Sequence, residues 1–116
     1  MAHKKMTLKF DMNNNNKLYS RFFSTIRSKD FGFSKLDFVD IVLKDKKVGL
    51  AHIIDIKQAY FHEIDHVIIQ QDTGMNYAQS LEFYLVNGID IKNFKTIVDI
   101  IYLEFISYAP KAAATP

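Results

Sequence analysis

The chain has 116 residues, 48% of them hydrophobic and 24% charged, with no cysteine and a formal net charge of +2. That length predicts one domain around one core, and the missing thiols exclude a disulfide framework, a thiolate zinc centre and a cysteine nucleophile. The apolar runs fall far short of the roughly 20 residues a membrane span needs and no secretory leader is legible, so a cytoplasmic protein without a membrane partner is expected.

In chain order, residues 1–5 and the Ala-rich end from Ala112 to Pro116 read as frayed termini, with a core of about residues 7–107. Thr7 to Phe10 alternates as a first short strand, and the Asn13 to Asn16 run can cap a short helix reaching about Phe22. Phe23 to Arg27 reads as a second strand leading into the loop 28–32. Asp37 to Leu43 and Val48 to Ile56 flank the polar turn Asp45-Lys46-Lys47 as a β-hairpin, with apolar residues on both faces that predict burial on both sides. From Phe61 the period changes. Ile64, Val67, Ile68 and Gln71 are spaced for a short helix that Asp72-Thr73-Gly74 ends. Tyr77, Leu81, Tyr84 and Leu85 form the apolar stripe of a second helix, with Asn76 as N-cap and Gly88 near its C-cap. Thr96 to Ser107, rich in Ile, Val, Tyr and Phe, is a long closing strand. With no helix between the middle strands, the expected class is α+β: a small mixed β-barrel carrying a helical insert, rather than a doubly wound parallel sheet.

The charge is unevenly spread. The first 47 residues hold eleven of the fifteen Lys and Arg but only five of the thirteen Asp and Glu. Such a half suits either a polyanion-facing surface or a solvated face. Lys29 and Lys35, interleaved with Phe31 and Phe33, pair cations with aromatics as single-strand binders do; the two-residue spacing equally suits two core phenylalanines. The stretch His62-Glu63-Ile64-Asp65-His66 matches H-E-x-x-H, which on one helix turns two His to a common face for zinc, with Asp72 as a third ligand. Ile69 stands where related zinc enzymes need a glycine turn, and the helix breaks soon after, so no metal and no other cofactor is expected.

Thr25-Ile26-Arg27, ahead of a Gly-containing loop, resembles the T-I-R signature of ASCH domains, small PUA-like barrels. Further matches follow in order: Val48 to Ile56 is similar to the family's G-x-A-x-I-x-x-I strand, Phe61-His62-Glu63-Ile64 to the opening of its helical insert, Asp72-Thr73-Gly74-Met75 to its acidic-Gly turn, and Ile97 to Phe105 to its closing strand. The resemblance spans residues 7 to 107. It implies an RNA-associated module with a cleft between barrel and insert, lined by Thr25, Arg27, Lys29 and Asp72. RNA or a modified nucleoside would be the partner, with Arg27, Lys29, Lys35 and Arg21 as the contacting cations. Some small bacterial members resemble amidohydrolases of acetylated cytidine that use a Thr, a Lys and an acid. Their Thr matches Thr25 and their acid Asp72, whereas the Lys, three residues before the Thr, falls on Phe22. A hydroxyl nucleophile needs a base beside it, and Arg21 cannot accept a proton. The expectation is therefore binding of RNA first, and hydrolysis of a nucleoside or RNA through Thr25 and Asp72 second.

Overall fold

The computed structural model describes residues 6–10, 17–18, 20–28 and 32–108. Among them run β1 (Met6–Phe10), β2 (Phe22–Ser28), β3 (Phe38–Leu43), β4 (Lys46–Tyr60), α1 (His66–Thr73), α2 (Tyr77–Val86) and β5 (Ile97–Tyr108), with single 3-10 turns at 17–18 and Phe61–Glu63. The strands form one mixed sheet in the order β1-β3-β4-β5-β2. β1 runs parallel to β3, and the other pairs are antiparallel. The sheet curls into a half-barrel with the two helices on its other side, the small barrel-like α+β architecture expected from the element order.

Two cores follow from that curl. Inside the barrel, Leu8, Phe10, Phe23, Val39, Ile41, Ala51, Ile53, Ile101, Leu103 and Phe105 pack with Leu18 and Phe33. Between sheet and helices, Ile26, Val98 and Ile100 meet Phe61, Ile64, Ile69, Tyr84 and Ile89. β2 and β5 serve both cores by parity. Phe23 and Leu103 point into the barrel, while Ile26, Val98 and Ile100 point toward the helices, as a two-residue period requires. β4 and β5 approach closely at Gly49, where an added Cβ would lie 2.3 Å from the Ser107 carbonyl oxygen; a side chain cannot be accommodated there without moving backbone.

Several boundaries differ from the sequence expectations. The strand after the Asn run begins at Phe22, so no helix reaches that residue; Asn13 to Asn16 lie outside the described residues, as do Lys29 to Phe31. The hairpin turns at Lys44 and Asp45, both with positive φ (50° and 66°), the geometry of a tight two-residue turn matched to strand twist. β4 is longer than its apolar run, continuing to Tyr60 by pairing with β5 through Ile97. The hairpin is not buried on both sides. Val39, Ile41, Ala51 and Ile53 are fully enclosed, while their alternate neighbours are half-exposed or open, because the helices cover the β5–β2 side of the sheet and leave β3 bare.

Helix ends are set by local chemistry. The Asp65 carboxylate caps α1 by accepting from Val67 N at 2.8 Å, and Gly74 closes it in the left-handed conformation at φ 71°. Asn76 and Gln79 form a reciprocal capping box at the start of α2. The helix predicted to stop at Asp72 runs on through Thr73, whose hydroxyl donates to Ile69 O at 3.0 Å. That final turn carries Asp72 inward.

Candidate functional site

A cleft of about 860 Å³ opens between the barrel edge and the helices. One wall is polar and comes from the strands: Lys9 and Phe10 of β1, and Thr25, Arg27 and Ser28 of β2. The opposite wall is largely apolar and comes from the insert: Met75, Phe83, Val86 and Ile89, with Gln79 and Glu82 among them. Lys17, Asp72 and Tyr84, all three buried, also line it. A polar wall facing an apolar one suits a flat ligand that is hydrogen-bonding at its edge and greasy on its face.

The buried cluster joins three separate segments. Lys17 Nζ donates to Asp72 Oδ1 and, at 3.1 Å, to the Ser24 carbonyl. Tyr84 Oη donates to the other carboxylate oxygen, Asp72 Oδ2, at 2.6 Å. Lys17 is 8% exposed and Asp72 3%. Burial pulls the Lys17 amine below the ordinary lysine range, Arg27 pulls the same way, and the Asp72 carboxylate opposes them by attraction and hydrogen bonding. Burial also pushes the Tyr84 phenol up, reinforced by the neighbouring Asp72, so it remains a proton donor.

Thr25 sits one residue after the carbonyl that Lys17 grips. Its side chain is buried, and parity puts it on the same strand face as Arg27. Arg27 Nε donates to Thr25 Oγ1 at 3.2 Å, Nη2 donates to the Lys9 carbonyl at 2.9 Å, and the guanidinium lies 4.6 Å from the Phe10 ring centre. Arg27 thereby spans the gap between β1 and β2, the two edges of the sheet.

Of the residues singled out from the sequence, Thr25, Arg27 and Asp72 share this cleft. Arg21 and Lys35 are not among its lining residues. Arg21 is exposed and paired with Glu104 at 2.6–2.7 Å, Lys35 is exposed on the turn before β3, and Lys29 and Phe31 lie outside the described residues. Phe33 belongs to the barrel core. The H-E-x-x-H residues do not share one helix. His62 lies in the 3-10 turn, its ring 4.5 Å from that of Phe94, while His66 opens α1 beyond the Asp65 cap and stacks on Tyr77 at 3.9 Å. Among the described residues no three His, Asp or Glu side chains gather as a metal site would require, and Asp72 is engaged by Lys17 and Tyr84.

Two members of the cluster were hidden in the sequence. The amine missing at Phe22, which is exposed, has a counterpart in Lys17, five residues earlier on the turn before β2, whose Nζ reaches Ser24 O and Asp72. Counting back from Thr25 along a strand misses it because the chain bends at Ser20 and Arg21. Tyr84 reads as core by its spacing, and its ring is core; only a partner for its hydroxyl, demanded of a buried tyrosine, hints at the carboxylate.

No family model matches this sequence, and no curated protein matches it. Among solved structures the chain is similar to protein EF3133 from Enterococcus faecalis V583, described by the family model DUF984. That likeness has a TM-score of 0.66 over 95% of this chain and 84% of the other, with 12% sequence identity. At that identity the likeness shows the fold. Among the described residues no helix is long and apolar enough to cross a membrane.

Proposed function

We propose that the protein is an amidohydrolase that removes an acyl group from the exocyclic amine of a modified nucleoside, with Thr25 as nucleophile and Lys17 as general base. The observation that carries this reading is the Lys17 amine, buried at the Asp72 carboxylate and bound to the carbonyl next to Thr25. A lysine whose charge is disfavoured by burial is neutral, and so able to take a proton, at lower pH than an ordinary lysine, the arrangement that activates a hydroxyl in Ser-Lys-type sites. The ASCH resemblance of residues 7–107 adds a matching substrate class.

The steps balance without a cofactor. Neutral Lys17 takes the Thr25 hydroxyl proton as Oγ1 attacks the acyl carbonyl. The C–N bond then breaks, and the Lys17 ammonium returns the proton to the leaving amine. Water hydrolyses the threonine ester with Lys17 again as base, releasing the carboxylic acid. Asp72 fixes the lysine, and Arg27 fixes Thr25 through its Nε. The test is incubation of the purified protein with N4-acetylcytidine and chromatographic detection of cytidine. Turnover that rises with pH as Lys17 loses its proton is expected; no release of acetate from acylated cytidine, cytosine or deoxycytidine removes this reading.

A second reading is binding of the same base within an RNA strand, favoured by Arg27 and Lys9 lining the cleft beside Phe10. Fluorescence anisotropy with short single-stranded and hairpin RNAs is expected to show affinity falling as salt rises. Arg27→Ala should reduce the log–log slope by about one. Equal slopes for both proteins would dismiss a phosphate contact by Arg27.

A further inference from the structure

We propose that Tyr84 is a positioning residue that acts on Lys17 through Asp72: its phenol holds Oδ2 of the carboxylate and divides that group's charge between a hydroxyl and the lysine ammonium. Its catalytic meaning rests on the hydrolase reading, but its electrostatic content can be tested without it.

The geometry leaves the hydroxyl one task. The Tyr84 ring is fixed edge-on against Phe61 and Phe83, at 5.3 and 5.4 Å, and is 1% exposed. A phenylalanine would fill that space with no polar atom to satisfy, so the 2.6 Å bond to Asp72 is what the oxygen adds. Because burial keeps the phenol protonated, Tyr84 cannot compete with Lys17 for the Thr25 hydroxyl proton.

The charge balance around Lys17 gives the direction. Asp72 faces it from α1 and favours the ammonium; Arg27 from β2 disfavours it; Tyr84 reaches it from α2 through the shared carboxylate. Lys9 and Glu82 line the same cleft. A carboxylate that already accepts a strong hydrogen bond holds an ammonium less firmly. Removing the phenol returns that charge to Lys17, so the amine holds its proton to higher pH and is a usable base over a narrower range.

The experiment compares wild type with Tyr84→Phe in the full chain by two readouts. Side-chain NMR of isotope-labelled lysine follows the Lys17 titration, its signal assigned by loss in Lys17→Met. The midpoint is expected to rise by about one pH unit, a tenfold change in proton affinity. The acid limb of kcat/KM for acylated cytidine should move by the same amount, with the alkaline plateau kept within about threefold. An unmoved midpoint overturns the proposal, as does activity lowered equally at every pH. A raised midpoint in a protein that hydrolyses nothing upholds the Tyr84–Asp72–Lys17 coupling and removes the hydrolase reading instead. Should Tyr84→Phe fail to fold, 3-fluorotyrosine at position 84 supplies a stronger donor of nearly the same shape. It should move the midpoint downward, and no movement there is equally fatal.

Discussion

Asp72→Ala is expected to destabilise the protein by about 3–5 kcal/mol at pH 7, as breaking one side of a buried ion pair does. The variant strands the Lys17 amine between an empty site and the Ser24 carbonyl, and leaves the Tyr84 hydroxyl with no acceptor. The loss should depend on pH. Without Asp72 the folded state favours neutral Lys17 more strongly than the native protein does, whereas the unfolded chain titrates near its ordinary 10.5. Between those values the unfolded state binds more protons, so the variant gains stability as pH rises. Urea unfolding of variant and wild type should therefore differ most at pH 6 and converge toward pH 10. Lys17→Met/Asp72→Asn removes both charges while keeping an acceptor for Tyr84, and should recover more than half of the loss. A pH-independent difference, or one under about 1 kcal/mol, would mean that the pair is not buried as described.

Thr25→Val should lower kcat for acylated cytidine at least about 10³-fold, because it deletes the attacking oxygen while keeping the β-branched shape that fills a strand position. Folding should suffer little: the side-chain bond lost is the 3.2 Å contact from Arg27, worth about 1 kcal/mol. Substrate affinity, measured calorimetrically with the inactive variant, should stay within a few-fold. Thr25→Ser restores the hydroxyl and should retain activity within about tenfold. Mass spectrometry of wild type quenched early should find one acyl group on the peptide containing Thr25. Wild-type turnover by Thr25→Val would assign the chemistry to another group and leave the cleft as a binding site.

The strands and helices were largely legible because their apolar spacing is regular: Leu8 and Phe10, Val39 and Ile41, and Tyr77, Leu81 and Tyr84 each fit one period. Thr25, Arg27 and Asp72 were found by resemblance, and the cleft gathers them. Illegible from spacing were the contacts formed where segments distant in sequence converge. Lys17 meets Asp72 across 55 residues, and Tyr84 meets it across 12; neither pair lies on one helix or one strand, so no period relates them. Burial on both sides of the hairpin was misread for a related reason. Apolar residues on two faces say that both can be covered, while only the docking of the helices decides which is.

The sheet order has a consequence for how the molecule comes together in time. Both edge strands precede the rest of the sheet in sequence, yet β1 needs β3, 33 positions downstream from Met6 to Val39, and β2 needs β5, 82 positions downstream from Phe22 to Glu104 and 70 from Ser28 to Val98. On a ribosome the segment bearing Lys17 and Thr25 emerges well ahead of β5 and waits for it before the two can pair. Closing so long a loop is entropically unfavourable until the β3–β4–β5 meander offers a template. The cleft is then the last feature assembled, and interactions made there act mainly on how slowly the native state opens rather than on how fast it forms.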